Sequence, residues 1–108
     1  MEPHQQLEKA WAEFNGLDPA GMVACSSGTS ALHLSLEAMR LPAGTKVLQP
    51  DFSMVAVPRA TVLAGLDPVF IDCDDRLLLD TAHLRHRLKV MRNTGESRHP
   101  EVVVAVHI

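Results

Sequence analysis

A short apolar run that passes through a small, polar turn into a helical pattern constrains this chain more than any other stretch. Residues 22–25 form the apolar run, residues 26–30 form the turn around Gly28, and the apolar spacing of a helix begins at Ala31. This order predicts a strand, a tight turn and a helix, the unit from which parallel α/β sheets are built.

The predicted turn has the chemistry of an anion site. It leaves backbone N–H groups unpaired at the start of a helix, where the aligned peptide dipoles favour negative charge, and a phosphate suits such a place best. Gly28 lets the backbone approach a ligand closely, and the hydroxyls of Ser27, Thr29 and Ser30 can donate hydrogen bonds. Ser and Thr are also common helix caps, so a capped helix without a ligand is the alternative.

Strands and helices alternate along the rest of the chain. Apolar runs predict strands at residues 46–49, 69–71 and 102–106, with a turn at 67–68, and the last run is continuous enough to be buried on both faces. Alternation implies right-handed crossovers and a three-layer αβα fold with a mostly parallel sheet. Ligands of such sheets bind at the carboxyl ends of the strands.

The predicted helices differ in their apolar surfaces. The first has one apolar side, formed by Leu7, Ala10, Trp11 and Phe14. The helix after the turn is apolar on more than one face, which predicts cover on both sides. Ser53 is a possible cap for a third helix, in which Pro58 requires a late start or a kink.

A fourth helix is predicted after Asp80, a good N-cap residue. Leu84, Leu88 and Met91 form its apolar side, whereas the basic residues Arg85, Arg87 and Lys89 are predicted to form a solvated face.

Composition excludes several classes of partner. The 108 residues form one domain or part of one, and the net charge of −3 provides no basic field for nucleic acid. No apolar run approaches the roughly 20 residues of a membrane span, and no secretion signal is evident, so the cytoplasm is the expected location. Cys25 and Cys73 lack paired spacing and are expected to be reduced, packed, structural thiols.

Other polar clusters give weaker indications. Asp72 and Asp74 have an Asp-x-Asp spacing that could hold a divalent metal, but a solvated turn is the better interpretation. His83 and His86 lie one helical turn apart without a third ligand, so no metal site is predicted. His107, at the end of the last strand, is the histidine expected nearest a site, and its role is open.

Taken together, the segments resemble the N-terminal part of the DegT/StrS family of pyridoxal-phosphate-dependent sugar aminotransferases. The matching motifs are Ser-Ser-Gly-Thr-Ser-Ala-Leu-His-Leu at 26–34, Pro-Asp-Phe-Ser at 50–53 leading to Ala-Gly at 64–65, Pro-Val-Phe-Ile-Asp at 68–72, and Val-His at 106–107. Their order and spacing together are far more specific than any one motif alone.

The resemblance implies part of the large domain of the type I aminotransferase fold, spanning residues 1–108 as a single, incomplete domain. It implies transfer of an amino group, commonly from glutamate, to a nucleotide-linked keto sugar, with pyridoxal 5′-phosphate as cofactor. Ser27, Gly28, Thr29 and Ser30 would hold the cofactor phosphate. The full-length protein would be a homodimer whose active site forms at the subunit interface.

Two departures from the family pattern follow from the same resemblance. Met54 occupies the position of an aromatic residue that stacks on the cofactor ring; its polarizable sulfur can contact a ring, but it lacks a flat face. Lys9, Lys46 and Lys89 match no family lysine, so no catalytic residue is assigned and an N-terminal fragment is expected. The alternative function is a non-catalytic phosphate-binding or interaction module.

Overall fold

The computed structural model describes residues 1–96 and 102–106. Within them the elements are, in order, α1 (Pro3–Phe14), a 3-10 turn (Pro19–Gly21), α2 (Gly28–Ala38), β1 (Lys46–Pro50), α3 (Ala56–Leu63), β2 (Asp67–Ile71), α4 (Thr81–Thr94) and β3 (Val102–Val103). No described helix is long and apolar enough to cross a membrane.

The strands form a parallel sheet with β1 in the centre. Their order is β2-β1-β3; Lys46 of β1 lies opposite Asp67 of β2, and Val47 lies opposite Val102 of β3. Both pairs are parallel, which confirms the sheet type predicted from the alternation of elements. The carboxyl ends of β1 and β3 therefore open on the same edge.

Helices cover both faces of this sheet. Successive strand residues point to opposite faces, so Val47 packs with Leu36 of α2 and Ala60 of α3, whereas Leu48 packs with Ile71 and with Met91 of α4. The two clusters place α2 and α3 on one face and α4 on the other. The predicted three-layer αβα architecture is confirmed.

The strand predicted at residues 22–25 is absent. The segment is extended but pairs with no described strand, and the Val23 side chain is 68% exposed. The Met22 N–H donates to the Pro19 carbonyl at 3.1 Å, and the Ala24 N–H donates to Glu8 Oε1 at 3.0 Å. A strand needs a neighbour to satisfy its N–H and C=O groups, and apolar composition alone cannot supply one.

Both outer strands differ from their predicted bounds. β2 begins at Asp67, so the expected turn at 67–68 is wrong; Pro68 is tolerated because β2 is an edge strand within the described sheet. β3 covers only Val102–Val103, and Val103 is 42% exposed, so burial on both faces is also wrong. At the edge of the described sheet, its outer side has no neighbour.

The third helix starts late rather than kinking at Pro58, which were the two alternatives that this proline allowed. α3 begins at Ala56, which puts Pro58 in the first turn, where a missing N–H breaks no helical hydrogen bond. Ser53 does not cap it: the N-cap position is Val55, and the Ser53 hydroxyl instead donates to the Met54 carbonyl at 3.4 Å.

The fourth helix forms as predicted. Asp80 accepts hydrogen bonds from the N–H groups of Ala82 and His83 at 2.9 and 3.2 Å, and α4 ends before Gly95, whose φ of 70° lies in the left-handed region. Met91 is fully buried. Arg87 pairs with Glu96 at 2.9 Å, so it is only partly a solvated cation.

The N-terminal helices keep exposed apolar surface. On α1, Leu7, Trp11 and Phe14 are exposed, and this helix packs mainly against the 3-10 turn. On α2, Leu34 is exposed, so the prediction of cover on both sides is wrong for the described residues. Cys25 is also exposed, which contradicts its expected packing, whereas Cys73 is half-buried; both are free thiols.

Candidate functional site

A wide cleft of about 1000 Å³ opens at the carboxyl edge of the sheet. Its lining comes from the start of α2, from the loop at residues 51–54 after β1, and from residues 104–106 after β3. Two of these segments directly follow parallel strands, so the cleft lies where ligands of α/β sheets bind. Its volume is in the range of small-molecule sites.

The start of α2 combines a side-chain cap with free backbone donors. Ser27 Oγ accepts a hydrogen bond from the Ser30 N–H at 3.1 Å and donates to Ser30 Oγ at 3.0 Å. Gly28 and Thr29 are the first two helical residues, whose N–H groups have no intrahelical acceptor. Both line the cleft. The cap and the anion cradle, which were alternatives in the sequence, are therefore compatible in the structure.

Gly28 has no internal reason to be glycine. A Cβ placed there would meet no protein atom within 4 Å, and its φ is not in the left-handed region. The added atom would project into open space beside the N–H groups. The lack of a side chain therefore leaves the space beside these N–H groups open.

The structure brings together only part of the predicted set of site residues. Gly28, Thr29 and Met54 line one cleft, and the Met54 side chain is 78% exposed. Ser30 lines a separate cavity of about 360 Å³ on the other side of the turn, and Ser27 lines neither. The two serines instead form hydrogen bonds with each other that cap the start of α2.

Asp51 and Phe52 also line the cleft, although sequence reasoning did not select them. Both follow Pro50 at the end of β1, and position at a strand end was the signal that could have found them. Asp51 is the charged residue among the described lining residues. Among the described lining residues, the groups that can hold an anion are therefore the backbone N–H groups and the dipole of α2.

The loop at residues 72–80 is tied together by its own hydrogen bonds. Asp74 Oδ1 accepts from the N–H groups of Arg76 and Leu78 at 2.9 and 3.2 Å, and Arg76 Nη2 donates to Asp74 Oδ2 at 2.8 Å. The bond from the Arg76 side chain holds the pKa of the Asp74 carboxyl below its ordinary value. Asp74 therefore accepts the hydrogen bonds that hold the conformation of this loop.

The two helical histidines do not act as a pair. His83 Nδ1 accepts a hydrogen bond from the Asp72 N–H at 2.9 Å, which links α4 to the end of β2, whereas His86 is exposed. No group of three or more metal-ligating side chains occurs among residues 1–96 and 102–106. His107 lies outside the described residues.

Comparison with known proteins gives a consistent family match. The model of the DegT/DnrJ/EryC1/StrS aminotransferase family matches residues 2–108. The chain is 39% identical over 80 residues to a GDP-perosamine synthase of Caulobacter vibrioides, covering 73% of this chain and 21% of that protein. It is 44% identical over 70 residues to a UDP-N-acetyl-3-dehydro-alpha-D-glucosamine 3-aminotransferase of Acidithiobacillus ferrooxidans, covering 65% of this chain and 18% of that protein.

A solved structure shows the same fold. A DegT DnrJ EryC1 StrS aminotransferase from Brucella abortus superimposes with a TM-score of 0.82 at 26% identity, covering 97% of this chain and 28% of that one. The chain thus spans about a fifth of the length of the curated relatives it matches.

Proposed function

The chain belongs to the DegT/DnrJ/EryC1/StrS aminotransferase family, and on that premise we propose that it is the N-terminal part of the cofactor-binding domain of a sugar aminotransferase. The enzyme would move an amino group from an amino acid such as glutamate to a nucleotide-linked keto sugar, as a cytoplasmic homodimer. One observation carries the proposal: the free N–H groups at the start of α2 and the Met54 side chain line one cleft at the carboxyl edge of the sheet.

The residues of the cleft fit pyridoxal 5′-phosphate. Gly28 and Thr29 would donate N–H groups to its phosphate, while the Ser27–Ser30 cap fixes the helix start that presents them. When bound, this cofactor supplies an electron sink for the carbon that carries the amino group. The apolar wall at Val57 and Val104 would exclude water from one side of the ring.

Substrate chemistry is proposed from the relatives. Their names describe enzymes that act on GDP-, UDP- and dTDP-linked sugars. No lysine is among the described residues that line the cleft, and Lys46 is paired with Asp67 at 2.6 Å. We therefore assign the imine-forming lysine, and the acidic partner of the ring nitrogen, to the part of the family's length that this chain does not cover.

Gly28→Val tests the phosphate cradle directly. The new side chain would project beside the N–H groups, so we expect affinity for pyridoxamine 5′-phosphate to fall at least about tenfold by calorimetry, the equivalent of roughly 1.4 kcal/mol. Gly21→Val is the matched control, because a Cβ at Gly21 also meets nothing within 4 Å but lies outside the cleft. Equal affinity in both variants would contradict the cradle.

The second candidate is a non-catalytic phosphate-binding module, favoured by the described cleft's lack of a lysine and by Met54. Titration of the full-length protein with pyridoxal phosphate separates the two, because the first proposal assigns the imine-forming lysine to the part of the family's length that this chain does not cover. Saturable binding without an imine absorption band supports a binding module. An imine band that one lysine substitution abolishes contradicts it.

A further inference from the structure

Phe52 is an exposed aromatic residue in the loop that follows β1. It is the aromatic side chain among the described residues that line the cleft, and 61% of its surface is exposed. Leaving a large apolar side chain in water forgoes the free energy that burial would give. A ligand lying against the ring would recover it.

The surroundings of Phe52 match a flat ligand that carries a phosphate. The N–H groups of Gly28 and Thr29 lie at the same cleft, so an anionic group can be held by α2 while the rest of the ligand extends along the loop after β1. Aromatic pairs prefer offset or edge-to-face contact between rings, an arrangement that an exposed phenyl group on an open cleft can accept.

Met54 cannot provide a planar contact for such a ligand. It lines the same cleft and is also exposed, at 78%, but its thioether is a flexible chain without a planar face. Both side chains line one cleft, so Phe52 can supply the planar contact while Met54 fills space at its edge.

We propose that Phe52, rather than Met54, provides the flat face against the pyridine ring of the cofactor, while Gly28 and Thr29 hold its phosphate. The inference rests on the proposed function, since it concerns the same cleft and cofactor. It assigns the ring contact to a residue two positions before the one selected from the sequence.

The test uses a ligand with the ring and a ligand without it. Pyridoxamine 5′-phosphate carries the ring and phosphate but no aldehyde, so it cannot form an imine with surface lysines; glycerol 3-phosphate carries the phosphate alone. Affinity for each is measured by calorimetry in wild type, Phe52→Leu, Phe52→Tyr and Met54→Leu. The NMR shift of the pyridine methyl group reports a nearby aromatic face.

Phe52→Leu should lower affinity for pyridoxamine phosphate by about tenfold, the size expected for a lost aromatic pair. It should also abolish the upfield shift of the methyl signal and leave glycerol 3-phosphate binding unchanged. Phe52→Tyr should keep both the affinity and the shift, whereas Met54→Leu should keep the shift and lower the affinity by less than Phe52→Leu does. Circular dichroism confirms that each variant is folded.

Three results would overturn the inference. Unchanged binding in Phe52→Leu removes the role of Phe52, and a loss confined to Met54→Leu assigns the ring to Met54. Equal wild-type affinity for both ligands shows a cradle without a ring contact, which leaves the phosphate site standing. Failure of the wild type to bind either ligand refutes the proposed function itself.

Discussion

Helices α1 and α4 are both amphipathic, but the apolar side of α4 is buried and that of α1 is exposed. Met91 of α4 is fully buried against the sheet, whereas Trp11 and Phe14 of α1 are 57% and 83% exposed. α4 follows β2 and returns across a sheet face, while α1 precedes the sheet and packs mainly against a 3-10 turn. Periodicity therefore determines which side of a helix is apolar, but the topology determines whether that side is covered.

The largest expected difference between the two helices comes from truncating their apolar side chains. Met91→Ala should lower the free energy of unfolding by about 2–5 kcal/mol, because it leaves a cavity in the packed cluster. Trp11→Ala should change it by only about 0.5 kcal/mol, since an exposed side chain loses little on removal. Urea unfolding followed by circular dichroism measures both. A larger loss for Trp11→Ala would show that α1 is packed in solution.

Helix caps give a smaller test of the same comparison. Asp80→Ala removes the acceptor for two N–H groups of α4 and should cost about 0.5–2 kcal/mol in the free energy of unfolding.

The matched control is Gln5→Ala, which removes the acceptor of the Glu2 N–H at the start of α1. It should shorten α1 without changing the urea midpoint of the sheet, because α1 adds little to the core. A shift of the midpoint as large as that of Asp80→Ala would mean that the two helices unfold as one unit.

The smallest effect concerns pH and the loop that leads into α4. Asp74 has a lowered pKa in the folded state because of the hydrogen bond from the Arg76 side chain. Its ionised form therefore adds stability above the unfolded pKa of about 3.9, and this is lost as pH falls through the lower folded value. Asp74→Asn should be slightly less stable than wild type at pH 7, with a gap that narrows as the pH falls below the unfolded pKa of about 3.9.

Thermal unfolding at several pH values in matched salt measures this gap. Asp51→Asn is the control, because the Asp51 carboxylate accepts no hydrogen bond from the described residues. A gap between wild type and Asp74→Asn that stays constant down to pH 3 would exclude ionisation of Asp74 as its cause.

Local signals predicted most of the fold. The cap at Asp80 and the order of strands and helices from residue 46 onward depend on nearby residues and are confirmed. The start of α3 at Ala56 selects the late start from the two alternatives that Pro58 allowed. The errors lie in strand limits and burial. Residues 22–25 have the composition of a strand without a described neighbour, and Pro68 lies inside β2 because an edge strand tolerates it.

The candidate site divides in the same way. The polar turn around Gly28 identified the start of α2, because helix caps and free N–H groups are local features of the chain. The loop after β1 was expected near this turn, because the carboxyl ends of parallel strands lie at one edge of the sheet. Only the tertiary structure decided that the side chains of Asp51 and Phe52 line the cleft.

By itself, the sequence determined which segments form helices, that the sheet is parallel, and which turn presents free N–H groups. These properties depend on contacts between residues close in the chain and on the alternation of elements. The tertiary structure alone decided which apolar faces are covered and which side chains meet at the cleft. The burial of a face and the meeting of side chains at a cleft depend on residues that are distant in sequence. A local sequence pattern contains no information about those residues.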